Sequence, residues 1–167
     1  MYFFYALKTR HMQKLYFFTF LFTAFLFAGC SKDFLKRYED RIEGVWQLTD
    51  VDRLGWGGST SGVTFRDGLF TFSENGELEY TSTSGQVYQG SWDLRRSWVR
   101  GQCYTNEDGY NECDDRYVRS MHITAVDFTN QDMRSEYFDE ILFTGTNRFK
   151  AYIYTGSRSY VFRFRRQ

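Results

Sequence analysis

Leu69-Phe70-Thr71-Phe72-Ser73-Glu74-Asn75-Gly76-Glu77-Leu78-Glu79-Tyr80-Thr81-Ser82 reads as a β-hairpin. Two alternating runs flank an Asn-Gly pair, which accepts the positive φ that a tight hairpin turn requires. In the second run Leu78, Tyr80 and Ser82 face one side, and Glu77, Glu79 and Thr81 face the other. That is the period of a strand buried on one face only.

The same period extends both ways along the chain. Upstream, Ile42, Gly44, Trp46 and Leu48 share a face, and a glycine- and serine-rich loop, Leu54 to Gly62, follows. Downstream, Val87 to Leu94 carries Tyr88, Gly90, Trp92 and Leu94 on one side. Trp98 to Tyr104 and Glu112 to Ala125 bracket a polar tip, Thr105 to Asn111. Thr129 to Ser135 has no period and is expected to be a loop or one helical turn. Three strands close the chain: Glu140 to Thr144, Phe149 to Tyr154 and Ser159 to Arg165. In the last, Tyr160, Phe162 and Phe164 oppose Val161, Arg163 and Arg165. The sum is eight to ten antiparallel strands and no long amphipathic helix, an all-β barrel or sandwich. Connections of hairpin length favour the up-and-down barrel, as does the complete lack of proline to block an exposed edge.

The N-terminal segment obeys a different logic. Leu15 to Ala28 is an apolar run of 14 residues behind Arg10 and Lys14. A transmembrane helix needs about 20 such residues, whereas the apolar region of a signal peptide needs about 7–15. Phe27-Ala28-Gly29-Cys30 resembles the lipobox of bacterial lipoproteins. That resemblance implies that residues 1–29 are a signal peptide, that Cys30 carries acyl chains, and that residues 30–40 tether a domain spanning 41–167. Met12 is a second candidate start, and an uncleaved N-terminal anchor is the alternative to cleavage. Ser31 after the cysteine points to the outer membrane, with the domain on its periplasmic or cell-surface face. Without residues 1–29 the chain has 138 residues, enough for one domain, with 18 basic against 21 acidic side chains. That balance argues against a nucleic-acid partner.

Gly44-Val45-Trp46 and Gly90-Ser91-Trp92-Asp93-Leu94 together resemble the lipocalin-like domains of Bacteroides-type lipoproteins, over Ile42 to Arg166. The resemblance implies a barrel floor of Gly44 and Trp46 with an arginine, Arg163 or Arg165, packed on the indole as a cation–π partner. It also implies binding of a small apolar or amphipathic ligand. The inward-facing Phe70, Phe72, Tyr80, Tyr88 and Trp92 would line the site, with Trp56 at the rim. The long helix of lipocalins has no counterpart here, and a narrow barrel fills with its own side chains. The alternative function is therefore protein interaction through the loops, as an inhibitor of an exported hydrolase or a subunit of an envelope assembly.

Little else carries chemistry. Cys103 and Cys113 lie symmetrically about Asp108 on a hairpin, and an exported compartment permits a disulfide between them. Free thiols or a metal pair are the alternatives. The acidic tip Glu107, Asp108, Glu112, Asp114 and Asp115 offers oxygen ligands for calcium, but at no recognised spacing, and reads better as solvated. His122 has no serine or cysteine motif beside it, and Glu77 and Glu79 read as solvent-facing. The glycine-rich loop lacks the lysine of a phosphate-binding loop. The expectation is a non-enzymatic protein with no cofactor and no metal.

Overall fold

A computed structural model describes residues 37–54, 60, 62–155 and 158–167. The signal segment, Cys30 and Trp56 lie outside the described residues. The compact unit runs from Arg37 to Gln167. It opens with helix α1 (Tyr38–Ile42), followed by strands β1 (Gly44–Leu54), β2 (Leu69–Phe72), β3 (Glu77–Thr81), β4 (Val87–Thr105) and β5 (Asn111–Asp127). Then come β6 (Asp132–Phe138), β7 (Glu140–Gly145), β8 (Arg148–Thr155) and β9 (Arg158–Arg166).

All nine strands belong to one sheet, in the order β6-β5-β4-β3-β2-β1-β9-β8-β7. Every ladder is antiparallel, and the first strand pairs with the last, Trp46 opposite Arg166. This is the path of an up-and-down barrel. The ends of the order, β6 and β7, are separated by Asp139 alone. The two act as one bent strand, laddered to β5 in its first half and to β8 in its second. Asp139 secures the bend: its N–H donates to the Tyr152 carbonyl at 2.8 Å, and its carboxylate accepts the Tyr154 N–H at 2.6 Å. Burial pushes this carboxyl above the ordinary aspartate range.

The hairpin of Leu69–Ser82 forms as read, with Phe70 opposite Tyr80 and Phe72 opposite Leu78. Its neighbour differs. Val87 to Leu94 and Trp98 to Tyr104 are not two strands but one, β4, because β5 stays paired with it almost throughout. Gly90 lets β5 approach closely: a Cβ there would fall 1.8 Å from the Thr124 carbonyl oxygen. Of the stretch expected as a loop, Thr129 to Gln131 form a turn, but Asp132 to Ser135 already belong to β6.

The barrel interior is aromatic. Trp46, Phe65, Phe70, Phe72, Tyr80, Tyr88, Phe138, Phe149 and Phe162 are fully buried. Their rings meet edge-on or stacked, as Phe149 and Phe164 do at 4.4 Å between centroids, and each such pair adds about 0.5–1.5 kcal/mol beyond burial. No helix among the described residues is long and apolar enough to cross a membrane.

Candidate functional site

The described residues among those expected to bind a ligand, Phe70, Phe72, Tyr80, Tyr88 and Trp92, are drawn into one cluster; Trp56 lies outside the described residues. Phe70 packs against Phe72 and Tyr80, Tyr80 against Tyr88, and Phe72 against Trp92. A further residue joins them. Phe65, from the connection after β1, packs edge-on against Phe70 and Tyr80 at 5.3 and 4.9 Å. It is held there by Thr64, whose N–H donates to Glu136 and whose hydroxyl donates to the Ser135 carbonyl. Of the rim connection, then, Phe65 is the described aromatic that plugs the barrel. The signal was Val63-Thr64-Phe65, a short apolar alternation inside a loop. The polar ends of the cluster are also satisfied: the Tyr88 hydroxyl donates to Asp132 at 2.8 Å, and the Arg134 guanidinium lies 4.6 Å from the Tyr88 ring centre. Those donors hold the Asp132 carboxyl below its ordinary range. Outside this plug, a groove of about 480 Å³ runs between residues 63–67 and 132–134 and reaches the edge of Tyr80.

Around Trp46 the packing arginine is not one of those expected. Trp46 is buried, and its indole N–H donates to the Ile42 carbonyl at 2.5 Å. The guanidinium over its ring, at 4.3 Å, is that of Arg166. Arg163 instead faces outward and pairs with Asp50 and Asp52, and Arg165 is exposed. The two-residue period demands this, since Arg166 shares a face with Phe162 and Phe164. Arg166 also donates to the Glu43 and Arg41 carbonyls at 2.7 and 2.6 Å. Gly44 makes room: its φ is +113°, and a Cβ there would meet the Arg166 guanidinium at 2.6 Å.

The outer half of the β4–β5 hairpin forms an arm folded against the barrel wall. A register break between Val99 and Gln102, with Gly101 at φ +54°, permits the bend. Cys103 and Cys113 are directly opposed and joined by a disulfide. The acidic side chains of the tip are exposed, as expected, but Glu107 is also held by the wall. Glu107 accepts from Lys150 Nζ at 2.6 Å and from the Tyr152 hydroxyl at 2.7 Å. Lys150 and Tyr152 hold its carboxyl below the usual glutamate range, while burial and the neighbouring carboxylate push the Tyr152 phenol up. Nearer the base, Arg116 bonds Glu140 at 2.6 Å and stacks 3.9 Å over Tyr104. The Tyr154 hydroxyl donates to the same Glu140 oxygen at 2.7 Å. Val118 and Val161, on outward-facing positions, are nonetheless buried. No group of metal-ligating side chains occurs among the described residues.

His122 does have a serine beside it, contrary to the sequence reading. β6 brings the Ser135 hydroxyl to 3.0 Å from Nε2. The hydroxyl also contacts Thr124 and the Ile123 carbonyl. Asp93 lies directly across the ladder from His122, but its carboxylate bonds Arg95 at 2.5 Å. A nucleophile and base without an orienting acid lack the third part of a triad. Asp93, Arg95, Ser120, His122 and Tyr137 line an outer groove of about 330 Å³.

No protein-family model, curated protein or solved structure matches the chain.

Proposed function

We propose that this protein is an acylated envelope lipoprotein whose lipocalin-like barrel is a non-catalytic interaction module, anchored through Cys30 at the outer membrane. The supporting observation is the packed interior: the aromatics that would line a ligand site touch one another and are sealed by Phe65 at one end. A barrel filled in this way binds through its outer surface and loops. The partner is a protein, either an exported hydrolase that it inhibits or an envelope assembly that it joins. The outer face of β4–β6 is the surface for it, with the groove at His122 and Tyr137 and with Met133 and Tyr137 exposed. The groove beside Tyr80 and Arg134 keeps a second reading alive, capture of a small amphipathic molecule at the barrel mouth.

Native mass spectrometry of detergent-extracted protein separates the two. The interaction reading expects the mass of the acylated chain without a stoichiometric small molecule. It also expects a partner complex that Met133→Asp with Tyr137→Ala dissolves at unchanged thermal stability. A stoichiometric amphiphile, released when Tyr80 is replaced by alanine, would return the carrier.

A further inference from the structure

We infer that the solvent face at the base of the arm, together with α1, is a membrane-contact surface that lies on anionic, phosphate-bearing lipid headgroups; this rests on the lipid-anchored reading above. As the hairpin bends back on the barrel, Arg116 and Val118 turn toward the wall, and Trp98 and Tyr117 turn away from it. The latter two are opposed across the ladder, with ring centres 4.6 Å apart, and are 46% and 60% exposed. Arg96 lies 4.4 Å over the Tyr117 ring. Its ladder partner Arg119 lies 4.0 Å over Tyr38 of α1. Arg41, one turn along that helix, stacks at 3.9 Å on Phe143. The result is one continuous strip of aromatic rings and guanidiniums.

Two observations choose the occupant. First, the chain enters the domain at this strip: Arg37 precedes Tyr38 and lies seven residue steps from Cys30, with six residues between them. Fully extended, they reach at most about 25 Å. An acyl group on Cys30 therefore keeps α1 and its neighbours close to the bilayer. Second, the chemistry is complementary. Tryptophan and tyrosine favour the headgroup region because one edge is apolar and the other polar, and arginine pairs with phosphate in a bidentate manner. Arg37, Arg41, Arg96 and Arg119 outnumber the carboxylates of the helix, Glu39 and Asp40, and Asp40 is paired with Arg37. Asp115, on the same arm, is taken up by the Gly101 N–H at 2.6 Å. A domain with an excess of acid elsewhere thus turns a basic, aromatic face toward its anchor.

The test uses the mature acylated protein in vesicles of phosphatidylethanolamine and phosphatidylglycerol with brominated acyl chains, and phosphatidylcholine vesicles as control. Trp98 is read as the fluorescence difference between wild type and Trp98→Phe. In the anionic vesicles bromine is expected to quench the Trp98 component. Arg96→Gln with Arg119→Gln should lose that quenching, and so should added salt, which screens headgroup attraction. Arg96→Lys with Arg119→Lys should keep it, because the charge survives even where the stacking does not. An acylated protein with unquenched Trp98 would overturn the surface alone. An N-terminal peptide without acyl mass would overturn the anchor, and the surface proposal with it.

Discussion

Replacing Arg116 by methionine tests whether the arm is a structural part of the barrel. Arg116 and Glu140 are 19% and 8% exposed, and their contact at 2.6 Å carries the Tyr154 hydroxyl as a third member. Removing one partner of a buried pair strands the other charge, at about 3–5 kcal/mol. Methionine keeps the apolar stem over Tyr104, and Tyr154 still donates to Glu140, so the lower end applies, about 3 kcal/mol. Glu140→Gln strands less. The amide oxygen still accepts from Tyr154, and Arg116 retains Asp114 at 3.2 Å; the expected cost is about 1–1.5 kcal/mol. The double variant leaves no buried charge uncompensated and should cost about 2 kcal/mol, less than the sum of the singles. Urea unfolding followed by far-UV circular dichroism measures all three, with an unchanged m-value as the check that one cooperative unit is unfolding. Additive losses, or an Arg116→Met cost below about 1 kcal/mol, would refute the idea of a buried charge held by the arm.

Three further outcomes follow from the same contacts. Phe65→Ala removes a fully buried ring from between Phe70 and Tyr80 and should cost about 3–5 kcal/mol in urea melts; it should also open the interior to a small apolar probe dye, which wild type excludes. Cys103→Ser with Cys113→Ser opens a crosslink spanning 10 residues, so the melt should show a loss of roughly 2–3 kcal/mol, with no effect if the arm is already ordered in the unfolded ensemble. Glu107 titrates below its ordinary value because Lys150 and Tyr152 stabilise its charge. Its contribution is therefore complete above the unfolded glutamate pKa of about 4.3 and is lost as pH falls through the lower folded value. Thermal melts from about pH 6 to about pH 3 should show a smaller drop for Glu107→Gln than for wild type, and parallel curves would exclude the tip contact.

The hairpin, the floor motif and the final three strands were legible because each is local. Asn75-Gly76 fixes its turn, and Leu78 and Tyr80 alternate with acids over a few residues. β6 was hidden because its polarity is inverted. Met133 and Tyr137 face solvent, while Asp132 and Arg134 cluster at the Tyr88 end of the barrel, so no apolar face repeats at two. The floor arginine was within reach: placing Phe162 and Phe164 inside assigns Arg163 and Arg165 to the outside, and Arg166 is the next inward position. The folded arm was not. Its contacts pair Glu107 with Lys150 and Arg116 with Glu140, and nothing in one strand's pattern announces a partner so far along the chain. For the candidate site, the aromatics could be read as inward-facing, but whether they enclose space or consume it depends on Phe65 arriving from a loop.

The closure between β1 and β9 sets an order of events on the chain. Trp46 lies near the start of the domain, and the guanidinium that covers it belongs to Arg166, on the domain's last strand, β9. The hairpins β2–β3 and β4–β5 can form as they emerge, but the ring has no seam to close until the final strand is present. A domain of such long-range pairing folds slowly and late. Until β9 pairs with β1 the chain stays unclosed, and the Trp46 ring waits for the Arg166 guanidinium that covers it.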